Sequence, residues 1–335
     1  MSKITIPEDY RMPLTNNELQ RAIELIHTEF QRNLTVRLNL HRVSAPLFVD
    51  GDTGINDDLN GVERPVAFHI PDVGANGEVV QSLAKWKRLA LKRYEFKLGT
   101  GLYTDMNAIR RDEIVDNLHS IYVDQWDWEK HIDPENRDEQ YLKDTVREIV
   151  GCICDTATAL RNEYPVLNFR PDRDVYFITT QELEDRFPGK TSLERENEIC
   201  RLHRTVFLMQ IGKKLKSGAR HDGRAPDYDD WNLNGDILMW NPVLKRSFEV
   251  SSMGIRVDAE ALDRQLTEAG CDDRRVLPFH RMLLSGELPQ SIGGGIGQSR
   301  LCMLLLEACH IGEVQASLWD ADTIAACEAA GVTLL

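Results

Sequence analysis

The sequence predicts an α+β fold: a large, mostly antiparallel β-sheet flanked by helices. Two observations predict it. Short segments rich in β-branched and aromatic residues recur along the chain, and several adjoin one another with no helix between, so the strand–helix alternation of a doubly wound parallel sheet is missing. The helical segments between them are amphipathic and suited to covering a sheet face. No linker, low-complexity run or internal repeat interrupts the 335 residues, which predicts a single domain over 1–335.

The first element is a helix. In "TNNELQRAIELIHTEFQRNL", Thr15 stands three residues before Glu18 at capping-box spacing, and Leu19, Ala22, Ile23, Ile26 and Phe30 fall on one face. Strand-like segments follow: "HRVSAPLFV", "PVAFHI", "EVVQS", "SIYVDQWDWE", "DVYFITT", "TVFLMQIG", "DILMW" and "SFEVSS". Further helices are expected near residues 83–94, 139–164, 191–204, 259–269 and 299–309.

Apolar residues make up 42% of the chain, enough for a large core. No apolar run reaches the roughly eighteen residues of a membrane span, and "MSKITIPEDYRMPL" lacks the pattern of a secretory signal, so no membrane partner and a cytoplasmic location are expected. The formal charge of -14 argues against a nucleic-acid partner, because gripping a phosphate backbone requires clustered Lys and Arg. A few arginines in a cleft still suffice for a small anion. The seven cysteines show no paired zinc spacing and fit a reducing compartment. Cys152 and Cys154 form a C-x-C, but within a helical pattern where buried free thiols are expected.

Chemistry is concentrated in "DYDDWNLNGDILMWNPVLKRSFEVSS", residues 227–252. Read as a hairpin around Pro242 and Val243, it sets Asp236 and Glu249 directly opposite each other, with Cβ atoms roughly 4.5–5.5 Å apart. Like charges so close call for a cation, and Mg2+ is commonly held by one or two carboxylates together with substrate phosphates. A solvated sheet face is the plainer alternative. Asp230, Asn232, Asn234 and Gly235 also match half of a calcium loop, but Asn241 stands where a bidentate Glu is needed, and Pro226 and Pro242 crowd the flanks.

A second constellation is "QSIGGGIGQSRLCMLLLEACHI", where a strand-like end meets Gly293, Gly294, Gly295 and Gly297, and an apolar helix opens with Ser299 and Arg300. Glycines admit close backbone approach, and a helix start with an arginine suits an anion or nucleotide; tight strand–helix packing is the competing reading. Upstream, Ser82 precedes a helical run with Lys85, Lys87 and Arg88. Arg110 and Arg111 follow "GLYT", and Gln125 and Asp127 share one face of a strand by period-two alternation. Together these offer the cations and acceptors that a zwitterionic amino acid needs.

The stretches "QSLAKWKR", "GLYT", "YVDQWDWE", "RAPDYDDW", "LNGDIL", "WNPVL", "SSMGIRVD" and "IGGGIGQSRL" closely resemble the ammonia-dependent asparagine synthetase A, or aspartate-ammonia ligase, family, from about residue 25 to the C-terminus. That family is similar in fold to the catalytic domain of class II aminoacyl-tRNA synthetases. The resemblance implies a homodimer that converts L-aspartate, ATP and ammonia into asparagine, AMP and pyrophosphate through a β-aspartyl-adenylate. It implies an aspartate pocket of Asp57, Ser82, Lys87, Arg110, Gln125, Asp127, Ser251, Ser252 and Arg256. ATP would meet Arg224, Asp229, Asp236, Glu249, Gly295 and Arg300, with Mg2+ on Asp236 and Glu249. Within that set, Asp127 and Gln125 would hold the α-amino group, Arg110, Lys87 and Arg256 would orient carboxylates and offset charge at phosphorus, and Asp57 would receive ammonium. Asp57, Arg110 and Gln125 are thereby the expected catalytic residues.

Two departures from the family pattern are visible. Only Asn232 stands between "DYDDW" and "LNGD", which implies a shorter loop over the nucleotide, and residues 1–14 form an N-terminal extension expected at the periphery. No exposed N-terminal cysteine or G-x-C-x-G elbow is present, so free ammonia is the expected nitrogen donor. A catalytically silent paralogue that binds aspartate or asparagine as a sensor is the alternative; retention of Asp236, Glu249 and Arg300 speaks against it.

Overall fold

The computed structural model describes residues 4–57, 59 and 63–335. Its first helix, α1 (Asn16–Leu38), begins at the capping box of Thr15 and Glu18 and stops where Asn39 turns left-handed, with φ 58°. Leu19, Ala22, Ile26, Phe30 and Leu34 form its buried stripe. Two short strands follow, β1 (Leu40–Arg42) and β2 (Phe48–Asp50), then β3 (Ala67–Ile70) and β4 (Ala75–Val79). β2, β4 and β3 make a small separate sheet in that order.

After α2 (Ala84–Arg93) come the long strands β5 (Gly101–Ile109) and β6 (Tyr122–His131), then α3 (Glu139–Glu163). β7 (Tyr176–Thr179), α4 (Thr180–Arg186), α5 (Ser192–His203) and β8 (Thr205–Met209) lead to the hairpin of β9 (Asp229–Asn241) and β10 (Arg246–Arg256). The chain then runs through α6 (Ala259–Ala269), α7 (Pro278–Leu284), β11 (Ser291–Gly297), α8 (Gln298–Leu305) and α9 (Ala321–Ala330). The main sheet has eight strands in the order β1-β5-β6-β11-β10-β9-β8-β7. Only its two edge pairings, β1 with β5 and β7 with β8, are parallel.

The two faces of this sheet differ in a way that fixes where chemistry can occur. On one face Trp126, Trp128, Ile237, Met239, Met253, Ile255, Ile292 and Ile296 belong to the largest core cluster, together with the buried stripes of α1, α3 and α8. The other face is covered only at its ends. Leu83, Trp86, Ala90 and Leu91 of the α2 region pack on Leu102, Met106 and Ala108 of β5, while Leu183, Ile199 and Cys200 of α4 and α5 pack on Val206, Leu208 and Leu238. Between them residues of β6, β11 and β10 line a cleft.

The structure bears on three of these readings. The N-terminal extension is tied to the rest of the chain. Thr5 exchanges two hydrogen bonds with the Asn117 side chain, at 2.7 and 2.8 Å, and the Tyr10 hydroxyl donates to Glu313 at 2.9 Å. The calcium-loop reading of residues 230–241 is excluded, because they lie in the continuous strand β9 and Asp230 is ion-paired with Arg137. The glycine tract is itself strand, β11, and α8 begins only after Gly297. The C-x-C thiols are buried within α3, as the helical pattern implied.

Candidate active site

The open middle of the sheet is a cleft of about 390 Å3, within the usual range for small-molecule sites. Its floor is built from β6, where period-two alternation turns Gln125, Asp127 and Glu129 to the same side and sends Trp126 and Trp128 into the core. β11 lies alongside, pairing Gly293 with Glu129 and Gly295 with Asp127. A Cβ at Gly293 would collide with the Glu129 carboxylate and the Arg256 guanidinium, and one at Gly295 with the Gln125 side-chain oxygen. The glycine tract therefore makes room for polar side chains of neighbouring strands.

At one end of the cleft every charge has a partner. The Lys87 ammonium, brought in by α2, meets the Asp127 carboxylate and donates to the Gly294 carbonyl at 2.9 Å. Arg256, from the end of β10, donates to Glu129 through Nε at 3.0 Å and Nη2 at 2.7 Å, and through Nη1 to Asp229. The Ser291 hydroxyl adds a bond to Glu129 at 2.7 Å. All of these side chains are buried. Burial pulls the Lys87 ammonium below its ordinary value against the pull of Asp127. Burial would raise Glu129, but Arg256 outweighs it and holds the carboxyl below its usual range. Asp57 is buried on the near wall, where the Gln81 amide donates to its carbonyl at 2.8 Å. Ser82 accepts from the Ala84 amide at 3.1 Å as α2 begins.

At the other end charges are left over. Arg110 lines the cleft and, among the described residues, makes no ion pair; its buried Nε has no hydrogen-bond partner. Glu249 is 45% exposed and touches Arg300 at 3.5 Å, and Arg300 also donates to the Glu249 carbonyl at 3.1 Å. Arg224 bonds Asp236 at 2.5 Å. Burial pushes Asp236 up to about 8; Arg224 opposes this and the neighbouring Glu249 charge reinforces it. His119, paired with Asp116 at 2.9 Å, lines the same end.

The hairpin register differs from the expectation. Glu249 pairs with Leu238 and Asp236 with Ser252, because the turn is longer than assumed and a bulge at Val250 shifts the register. Asp236 and Glu249 are therefore diagonal neighbours. They share a face, since Leu238 and Asp236 are two residues apart on one strand, and the bulge adds Ser252 to that face. Ser251 is turned away: it lies opposite the core residues Ile237 and Ile296, and its hydroxyl donates to the Gly295 carbonyl at 3.0 Å. Asp229, expected beside ATP, is engaged with Arg256.

Asp236 and Glu249 suit a divalent cation in one respect: two carboxylates on one face, one of them raised by burial and further by the other's charge, are relieved by a cation between them. Among the described residues no group of three or more His, Cys, Asp or Glu is placed so that it could hold a metal ion. The protein alone thus makes no cage, and phosphate oxygens would have to complete the coordination of Mg2+.

The model of the aspartate-ammonia ligase family matches residues 17–331. Curated relatives named aspartate–ammonia ligase align over nearly whole chains: one from Clostridium tetani is 57% identical over 99% of this chain and 98% of its own. One from Lactobacillus johnsonii is 57% identical over 99% of both. The chain belongs to the aspartate-ammonia ligase family. The fold of this family member is that of class II aminoacyl-tRNA synthetases. An asparaginyl-tRNA synthetase from Pyrococcus horikoshii, solved with asparaginyl-adenylate, superposes with a TM-score of 0.66 at 15% identity, covering 91% of this chain and 70% of that one. An aspartyl-tRNA synthetase from Entamoeba histolytica superposes with a TM-score of 0.61 at 17% identity, covering 92% and 60%.

Of the residues expected to form the site, Asp57, Ser82, Lys87, Arg110, Gln125, Asp127, Arg224, Asp229, Glu249, Ser252, Gly295, Arg256 and Arg300 of this ligase-family chain line the one cleft. Asp236 sits beside Arg224, and Ser251 lies apart. Sequence reasoning passed over Glu129, the main partner of Arg256, although the alternation that joined Gln125 to Asp127 reaches it next. It also passed over His119, Gln81 and Gln315, which carry no local pattern.

Proposed function

We propose that the chain makes L-asparagine from L-aspartate, ammonia and ATP, releasing AMP and pyrophosphate through a β-aspartyl-adenylate. One observation carries this reading beyond family membership: a fully paired ionic pocket and a set of unpaired or loosely paired charges adjoin in one cleft. The first suits an amino acid, and the second a triphosphate.

A carboxylate resists ammonia because its oxide is a poor leaving group, so it must first be converted. In this reading the aspartate α-ammonium is received by Asp127 and Gln125. Lys87 and Arg256, each with N–H donors beyond those their partners accept, orient the substrate carboxylates. The β-carboxylate then attacks the α-phosphorus in line, with the Arg110 fork answering the growing charge. Mg2+ held by Glu249 and Asp236 would supply charge neutralisation of the triphosphate. Arg224 and Arg300 contact the nucleotide from either side of Glu249. In the second step ammonia, deprotonated beside Asp57, adds to the acyl carbon, and AMP departs with its oxygen. Excluding water protects the mixed anhydride from hydrolysis.

The working unit is proposed to be a homodimer of the 38.2 kDa chain, as the family resemblance implies. Light scattering checks it. A cytoplasmic location accords with the free thiols. The half-reaction tests the function: pyrophosphate exchange into ATP should require aspartate and Mg2+ but not ammonium. Exchange without aspartate, or none under any of these conditions, would overturn it.

A further inference from the structure

Gln315 lines the cleft, and its side chain is buried. Its amide orientation is set by a chain of two hydrogen bonds. The Ser299 hydroxyl donates its single proton to the Asp124 carboxylate, at 2.5 Å, and so can only accept from Gln315; the Gln315 Nε2–H donates to it at 3.0 Å. A flipped amide would oppose two oxygens. Gln315 Oε1 is thereby held away from Ser299, and it is buried with no hydrogen-bond donor among the described residues. A buried acceptor without a donor is costly unless a ligand supplies one.

The surroundings identify that ligand. Charged groups line most of the cleft, and near Gln315 the Asp124 carboxylate is already engaged by Ser299 while aliphatic side chains add an apolar wall. Ile311 lies one turn before it and bonds through its amide to the Asn117 carbonyl at 2.8 Å, which sets Ile311 beside Leu118; Val123 adjoins Asp124. Leu118, Val123 and Ile311 all line the cleft. A planar base fits aliphatic walls, and Arg300 follows Ser299 directly in the sequence. Adenine carries a donor, the 6-amino group, where guanine and hypoxanthine carry an acceptor oxygen.

We propose that Gln315 reads the 6-amino group of the nucleotide base and so selects ATP over 6-oxopurine nucleotides. This rests on the proposed ATP-dependent ligation and goes beyond it by naming the group that sets nucleotide choice. Discrimination arises because an incoming oxygen leaves Oε1 without a donor and places two acceptors face to face.

The test uses aspartate-dependent pyrophosphate formation with ATP, ITP and the triphosphate of unsubstituted purine riboside. Wild-type protein should favour ATP over both analogues in kcat/KM by about tenfold or more. Gln315→Met should erase that preference, chiefly by raising KM for ATP, and leave KM for aspartate unchanged. Equal use of the analogues by wild-type protein would overturn the inference, as would an undiminished ATP preference in Gln315→Met. The wild-type arm decides the matter even if the variant does not fold. Failure of wild-type protein to act on ATP at all would instead overturn the proposed ligation.

Discussion

The two ends of the cleft both draw on β9 and β10, yet they treat charge in opposite ways. Around Arg256, Glu129, Asp229, Lys87 and Asp127, each ion is buried and matched within the protein. Around Arg110, Glu249 and Arg300 the charges are, among the described residues, unpaired or loosely held. A matched buried network fixes geometry before any ligand arrives, because removing one member strands the others. An unmatched set leaves its interaction energy available for a ligand. The difference teaches that charged residues lining one site need not have one kind of role. The first end shapes a pocket; the second awaits a polyanion.

The largest expected effect comes from breaking the closed end. Arg256→Met strands Glu129 and Asp229 and should cost about 3–5 kcal/mol of folding stability, measured by urea denaturation. A stability near that of wild type would show the network to be unimportant for folding. Arg110→Lys probes the open end and should do the reverse: stability within about 0.5 kcal/mol of wild type, but turnover lower by about 10²–10³-fold, since a point charge does not replace a planar fork. Unchanged turnover would remove Arg110 from the reaction. Glu249→Gln should fold normally and raise the Mg2+ concentration needed for half-maximal rate by about tenfold. The same Mg2+ dependence as wild type would unseat the carboxylate pair.

The smallest effect is in pH. Glu129 is held below its ordinary value, so its contribution to stability is present above about pH 4.3 and is lost as pH falls further. Asp236 is raised to about 8, so its contribution is complete below roughly 3.9 and is lost as pH rises through about 8. Denaturation midpoints measured from pH 4 to 9.5 should therefore lose the decline between about pH 4 and 8 in Asp236→Asn and keep it in Glu129→Gln. A retained decline in Asp236→Asn would place the responsible group elsewhere.

Much of this was legible in the residues, and the exceptions have physical causes. The capping box at Thr15, the α1 stripe and the shared face of Gln125 and Asp127 are local patterns, and they appear as expected. β11 was obscured because its glycines have low strand propensity; they leave room for groups of β6 and β10 that no local rule displays. The bulge at Val250 decides whether Ser251 or Ser252 faces the cleft, and a symmetric turn count does not reveal a bulge. The two-residue slip of the hairpin kept Asp236 and Glu249 on one face only because side chains alternate with period two. The Arg256–Glu129 clamp joins residues 127 positions apart in sequence, and such a pairing exists only in the folded sheet.

The most direct measurement is the product balance in a mixture of ATP, Mg2+, L-aspartate and ammonium chloride. Asparagine, AMP and pyrophosphate should form in equal amounts, with none appearing when aspartate is left out. Accumulation of ADP and phosphate in place of AMP and pyrophosphate would contradict adenylate formation in this cleft.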